Sequence, residues 1–362
     1  SGSGAVQPVP ARARLADEHE PSAPGLELPD ERADVALPGD DGPERDDFGA
    51  AVLGCVRDGD GVLVEVEPDG EGWRVMSSSG PLSADIKRHY TRANLAAVIL
   101  TALADAGKDV NTLTPEDLAP IDEFHVRGRK ATLELARAAG LDASTRVLDI
   151  GSGLGGPSRC IAREFGCQVT GIDLTDEYCR VATMLAERTG LSHLVTYRQG
   201  DALDLPFPDA AFDVVWTQHV AMNIRDKAAL YRGMSRVLKP GGALALYDVL
   251  AGPASPVLFP VPWARSPETS FLVTPDELRR LLEASGFTIE SWEDTTVAAT
   301  AWFANVASKV RETGAPPLGL HLVLGPDFAV MTRAVRQNLE EGRVLLAQVV
   351  ASRCREAPPR PS

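Results

Sequence analysis

The chain has 362 residues, with 36 Lys and Arg against 51 Asp and Glu, a formal charge of −15 and 44% hydrophobic residues. That is room for one large domain with additions or for two domains. No run of about 20 apolar residues is present, which excludes a spanning helix, and the acidity argues against a nucleic-acid or anionic-membrane binder, because both attract basic patches.

Residues 1–80 carry 18 acidic and 6 basic side chains, whereas residues 81–362 carry 33 and 30. The acidity therefore belongs to the front. The five cysteines (Cys55, Cys160, Cys167, Cys179, Cys354) are odd in number and show no CxxC spacing, so neither a zinc cage nor a disulfide framework is expected. A reducing, cytoplasmic setting fits this, and the first residues show no basic segment followed by an apolar run. Thirty arginines against six lysines, with abundant Ala, Gly and Pro, point to a GC-rich bacterial genome.

Residues 1–47 are rich in proline, glycine and acidic side chains without apolar periodicity, and are expected to be disordered. Residues 48–80 hold three short apolar runs, Ala51 to Val56, Val62 to Val66 and Trp73 to Met76. Asp58-Gly59-Asp60-Gly61 and Pro68-Asp69-Gly70 separate them, which is hairpin chemistry and predicts a small β-meander. From Asp85 to Ala106 and from Arg127 to Ala139 apolar residues recur at helical spacing, making residues 81–140 a helical cap. Beyond Leu141 short β-branched runs alternate with helices: strands at Arg146 to Ile150, Gln168 to Ile172, Val195 to Gln199, Val214 to Thr217, Ala243 to Asp248 and Thr288 to Trp292. Alternation of this kind predicts βαβ units and a parallel sheet covered on both faces, an α/β fold over residues 141–298. Two further helical stretches in residues 299–342 precede a strand-like run, Val344 to Ala351, within residues 343–362.

Val147-Leu148-Asp149-Ile150 runs into Gly151-Ser152-Gly153-Leu154-Gly155-Gly156, and Asp173 ends the next strand. A strand, a glycine loop and a following helix bring backbone close to a ligand at the carboxyl end of a sheet. By itself this loop also satisfies the dinucleotide fingerprint, with Asp173 at the expected distance, so it does not decide the cofactor. Three further features bear on the choice. Asp149 lies two residues before the first glycine, where it would repel a pyrophosphate but suit a cationic or amino-acid group. Asp201 and Ala202 follow the third strand, and Leu238-Lys239-Pro240-Gly241-Gly242 turns a helix into a strand.

This set resembles the class I S-adenosylmethionine-dependent methyltransferases over about residues 140–298. The resemblance implies a Rossmann-like, seven-stranded, mostly parallel sheet whose last strand inserts antiparallel beside Thr288. It also implies S-adenosylmethionine as cofactor, with Asp149, Gly151, Gly153 and Gly155 at its methionine portion, Asp173 and Leu174 at the ribose, Asp201 and Ala202 at adenine, and Gln218 nearby. A narrower resemblance joins Ile121 to Gly128, Phe212 to Lys227, Pro260 to Ala264 and Gly319 to Phe328. These runs are similar to the sarcosine/dimethylglycine N-methyltransferase group.

Methyl transfer from a sulfonium is an in-line displacement that needs positioning and, for many acceptors, a base. His219, just after strand 4 at the sheet's carboxyl edge, is the expected catalytic residue. Tyr90, Phe124, His125, Arg127, Met222, Trp263 and Phe271 are expected to contact the acceptor, with Trp302 and Phe303 in the pocket wall. A carboxylate on the acceptor would call for one of Arg127, Arg129, Arg225 or Arg265 as a clamp. His125, His219 and His321 have no metal-ligand spacing, and no metal is assigned. The expected function is methyl transfer to a small acceptor, foremost an amine or amino-acid-like molecule; C- or O-methylation of a small natural product, and a non-catalytic cofactor-binding partner protein, are the alternatives. Neither nucleic acid nor membrane is an expected partner, and a homodimer could form through the meander's exposed edges.

Overall fold

The computed structural model describes residues 54–57, 63–69, 72–75, 85, 86, 89 and 94–355. The acidic stretch 1–47, expected to be disordered, and Tyr90 lie outside them. Internal contacts divide the chain into two units, Ser1–Met76 and Ser77–Ser362. In the first, β1 (Gly54–Arg57), β2 (Leu63–Asp69) and β3 (Gly72–Val75) pair antiparallel in that order, the meander that the Gly-Asp separators predict.

In the second unit, α1 (Leu95–Asp105), α2 (Pro115–Asp122) and α3 (Gly128–Ala138) lead into an α/β core. The core runs β4 (Arg146–Ile150), α4 (Gly156–Phe165), β5 (Gln168–Asp173), α5 (Asp176–Arg188), β6 (Val195–Gln199) and β7 (Phe212–Gln218). It continues with α6 (Lys227–Val237), β8 (Leu238–Ala251), α7 (Pro275–Ala284) and β9 (Phe287–Asp294). Then α8 (Thr296–Thr313), α9 (His321–Leu324) and α10 (Phe328–Glu340) precede β10 (Val344–Arg353).

The seven strands lie in the order β6-β5-β4-β7-β8-β10-β9. β10 is antiparallel to both neighbours, with Val349 opposite Leu246 on one side and Trp292 on the other, and the remaining pairs built from β4 to β8 are parallel. The expected sheet and its antiparallel insertion are both present. The chain steps outward from β4 to β6, then returns to β7 on the other side of β4. This reversal opens a crevice at the strands' carboxyl ends.

Strand parity divides the core. Val147 and Trp216 face one apolar layer, while Leu148 and Val215 face the other, so helices cover both faces and the strands read as nearly continuous apolar runs. A third apolar cluster joins Leu95, Ile99, Leu103, Leu118 and Ile121 of the cap to Val181 and Leu185 of α5. It holds the cap against α5.

Two local differences from the sequence reading have clear causes. The helix expected from Asp85 is broken, because Asn94 adopts the left-handed conformation at φ 59 and α1 begins at Leu95. Helix α2 was not anticipated. Its signal is a capping box in which Thr114 and Asp117 bond each other's backbone, with Pro115 in the first turn, but only eight residues and an internal Pro120 mask the periodicity. Among the described residues no helix is long and apolar enough to cross a membrane.

Candidate active site

Leaving β4, the chain places Gly151, Gly153 and Gly155 at φ +73, +54 and +78. At Gly151 the need for glycine is twofold: the backbone is left-handed, and a Cβ would stand 2.3 Å from Val220 Cγ2. The amides of Gly151 and Ser152 both donate to the Ile172 carbonyl, at 2.8 and 3.1 Å, laying the loop across the end of β5. Asp173 closes this turn. Its two carboxylate oxygens accept from Gly153 N–H (2.9 Å) and Thr175 N–H (2.8 Å), which leaves further lone pairs for a ligand. Burial raises the Asp173 pKa while those amides oppose the rise.

A cavity of about 440 Å³ opens beside the loop. Gly151, Gly153, Asp173, Leu174, Asp201 and Ala202, on or just after β4, β5 and β6, are among its lining residues. Gln218, His219, Phe124, His125, Met222 and Trp263 line the middle, and Trp302, Phe303, Val306, Leu324 and Phe328 the far side.

Four expected residues stand off the cavity. Asp149 lies under the loop, where its carboxylate accepts from Ser158 Oγ at 2.5 Å and burial pushes its pKa up to about 7. Gly155 opens α4, and a Cβ there would meet the Tyr197 hydroxyl at 2.3 Å, so it serves packing. Arg127, left-handed at φ 68, turns its guanidinium onto Glu134. Phe271 contributes backbone, accepting from Lys227 Nζ (2.6 Å) and donating to the Met222 carbonyl (2.7 Å), while its ring takes Arg225 at 4.8 Å. Tyr90 lies outside the described residues. The other clamp arginines are engaged too: Arg129 pairs with Glu116 and Glu164, and Arg265 with Asp327.

His219 follows β7 in the left-handed conformation at φ 53, its N–H donating to the Tyr247 carbonyl at 2.7 Å. That strained turn brings His219 to the same cavity as its neighbour Gln218, where an extended strand would send them to opposite faces. Its ring stands edge to face with His125, centroids 6.1 Å apart, and 4.9 Å from Tyr247. Burial, with His125 adding to it, holds its pKa well below the usual histidine range, so the imidazole is neutral, and the buried Nε2 has no partner among the described residues.

Behind these two residues lies a network that sequence reasoning missed. His125 Nε2 donates to the Gly128 carbonyl at 3.0 Å, and burial pushes its pKa down to about 4. Thr132 Oγ1 lies 3.0 Å from that nitrogen, 3.2 Å from Glu123 Oε2 and 3.4 Å from Gln218 Oε1. Burial and the neighbouring Asp122 push Glu123 up to about 8, so it holds its proton at neutral pH. Glu123 was legible as a neighbour of His125 in the pre-core run; Thr132, one turn into α3, carries no sequence signal of its own. Asp122 pairs with Arg159, both buried, at the cavity's cap side. Among the described residues no cluster of three or more His, Cys, Asp or Glu could hold a metal ion.

A family model described as "Methyltransferase domain" matches residues 148–246. A sterol 24-C-methyltransferase of Aspergillus fumigatus is 38% identical over 116 residues, 32% of this chain and 31% of that protein. The sarcosine/dimethylglycine N-methyltransferase of Halorhodospira halochloris is 30% identical over 198 residues, 54% of this chain and 70% of that one. Among solved structures, the [4+2]-cyclase SpnF aligns with a TM-score of 0.57 at 26% identity, covering 76% of this chain and 98% of that chain. The chain spans about a third of the length of several curated relatives that it matches. With the sheet order, the glycine turn and this similarity together, the chain belongs to the class I S-adenosylmethionine-dependent methyltransferases.

Proposed function

We propose that the protein transfers a methyl group from S-adenosylmethionine to a small, largely apolar acceptor. The observation that carries this is one continuous cavity that joins the glycine and carboxylate flank to an aromatic chamber, with His219 between them. The flank fits the cofactor. Its turn is left-handed at Gly151 and Gly153, Ser152 Oγ is buried without a partner among the described residues, and Asp173 ends β5 while Asp201 follows the end of β6 by two residues. When bound, S-adenosylmethionine supplies an electrophilic methyl on a sulfonium. Asp173 would hold the ribose, the loop of Gly151 and Gly153 the methionine portion, and Asp201 with Ala202 the adenine.

The chain's own contribution is position, dryness and a proton acceptor. The aromatic and aliphatic chamber keeps water from competing as a nucleophile. His219, neutral through burial, takes the acceptor's proton on its imidazole, a step worth about 100- to 10,000-fold in such sites. An apolar acceptor suits this chamber because Trp302, Phe303, Val306, Leu324 and Phe328 line it and Arg127, Arg129 and Arg265 are ion-paired elsewhere; Arg225, stacked on Phe271, is the one of these four arginines that lines the cavity. This favours O- or C-methylation of a natural product over an amino acid. The 30% identity to an N-methyltransferase supports an amine acceptor as the second reading. Bacterial cytoplasm is the proposed setting, in keeping with the free thiols of Cys160, Cys167, Cys179 and Cys354.

Methyl-labelled S-adenosylmethionine, offered with phenols, diketones, apolar amines and amino acids, tests the reading. Label should move to an apolar acceptor and not to sarcosine or glycine. Cofactor binding without transfer to any acceptor would overturn it in favour of another reaction on this scaffold.

A further inference from the structure

At the end of β7 two adjacent cavity-lining residues carry buried side-chain nitrogens with no hydrogen-bond partner among the described residues, Gln218 Nε2 and His219 Nε2. The orientation of the Gln218 amide is fixed by its neighbours. Trp216 Nε1–H can only donate, and it lies 3.1 Å from Gln218 Oε1, with Thr132 Oγ1 at 3.4 Å on the same oxygen. Turning the amide over would set its NH2 against the indole N–H. The carbonyl is therefore committed to the protein interior, and the two N–H donors remain unpaired on a residue that lines the cavity and is only 9% exposed. Buried donors left unpaired are costly, so their place in a ligand-sized cavity marks them for a ligand acceptor.

The chemistry of the acceptor decides which ligand atom suits them. An amine has a single lone pair, and that pair must attack the methyl group; a donor hydrogen-bonded to it would block the reaction. An oxygen has lone pairs to spare. It can accept from an amide N–H and still attack through another pair, or, in an enolate, carry the charge while the α-carbon attacks.

We propose that Gln218 is the oxygen-binding residue of the acceptor site, and that the acceptor bears a hydroxyl or an enolisable carbonyl at or beside the methylated atom. This rests on the methyltransferase reading and names its substrate class. The Gln218 amide donates to that oxygen while His219 Nε2 takes the proton of the hydroxyl or the α-carbon. The oxygen or α-carbon forms the new bond to the methyl carbon, the sulfur–carbon bond breaks with its electron pair left on sulfur, and the imidazolium releases its proton to solvent. Gln218 thus serves the acceptor, where the sequence reading expects it at the cofactor.

Binding of 2-naphthol and of 2-naphthylamine to the full chain, measured by calorimetry with S-adenosylhomocysteine present, tests the assignment without turnover. Wild type should prefer the naphthol about tenfold or more. Gln218→Leu should abolish the preference while S-adenosylhomocysteine affinity stays within threefold. Because leucine strands the Trp216 N–H, Gln218→Glu is the second variant: it keeps an oxygen for the indole and loses the amide donors. It should bind naphthol more weakly as pH rises and its carboxyl ionises. The proposal is overturned by a preference that survives both substitutions, by a tenfold loss of S-adenosylhomocysteine affinity, by stronger binding of naphthylamine, or by binding of neither probe. Failure of the methyltransferase reading looks different, since the naphthol preference would persist while no labelled methyl moves to any acceptor.

Discussion

On the flank formed by β4, β5 and β6 the cavity wall is backbone and carboxylate: Gly151, Gly153, Asp173 and Asp201. On the flank formed by α8 and α10 it is side chain and apolar: Trp302, Phe303, Val306 and Phe328. The first wall is tied to the sheet by hydrogen bonds, with the loop amides on Ile172 O and Asp173 bridging Gly153 and Thr175. The second comes from helices inserted between β9 and β10, whose packing can change without disturbing a strand pair. One cavity thus joins a wall fixed by backbone geometry to a wall fixed only by shape, a division that suits the proposed pairing of a constant cofactor with a particular acceptor.

His219 stands where the walls meet, and His219→Ala is the strongest test of that division. Turnover should fall about 100- to 10,000-fold while S-adenosylhomocysteine binds within threefold of wild type. A matching loss of cofactor affinity would move His219 to the backbone wall. Next in size is Gly151→Ala, which forces a Cβ toward Val220 in a left-handed turn. S-adenosylhomocysteine affinity should weaken about tenfold to a hundredfold, in line with strain of a few kcal/mol, and naphthol binding in its absence should hold. Equal losses for both ligands would mean that the walls are not separable. On the other wall, Trp302→Ala should raise KM for an apolar acceptor about tenfold, and leave cofactor affinity alone; calorimetry and initial rates read the two effects apart.

The backbone wall was also the legible one. Glycines at fixed spacing after an apolar strand, followed by an acid at the end of the next strand and another just past the one after it, encode a turn locally, and Gly151, Gly153, Asp173 and Asp201 all line the cavity. Asp149 and Gly155 belong to the same motif yet serve the turn from behind, because a spacing rule does not tell which side of the loop a side chain takes. The strands and the antiparallel β10 followed from periodicity and resemblance. The acceptor side was readable as aromatic content but not as geometry. That Arg127 would be spent on Glu134, or that Thr132 would reach His125 and Gln218, depends on a left-handed turn at Arg127 and on α3 packing against β7, which no local pattern carries.

Glu123 gives the smallest effect and tests the seam between the walls. It lies behind His125 and Thr132, 7% exposed, and its carboxyl is held at about 8 against an ordinary 4.5, by burial first and by the charge of Asp122 second. Between those values the unfolded chain gives up the proton and the folded chain keeps it. The contribution of this group to stability therefore falls as pH rises through the window, by at most about 1.4 kcal/mol per pH unit. His125, held at about 4, works in the opposite sense: below its ordinary 6.5 the unfolded chain gains a proton that the folded chain refuses, so its effect is confined to lower pH. Urea unfolding between pH 6.5 and 8 keeps the histidine's contribution out of the window. Asp149 and Asp248, each pushed up to about 7, slope the same way and act in both proteins, so the difference between Glu123→Gln and wild type reports Glu123 alone. The variant, neutral in both states and still able to accept from Thr132, should lose stability less steeply with pH. Parallel curves would place an ionised Glu123 in the folded protein and make the network behind His219 a charged one.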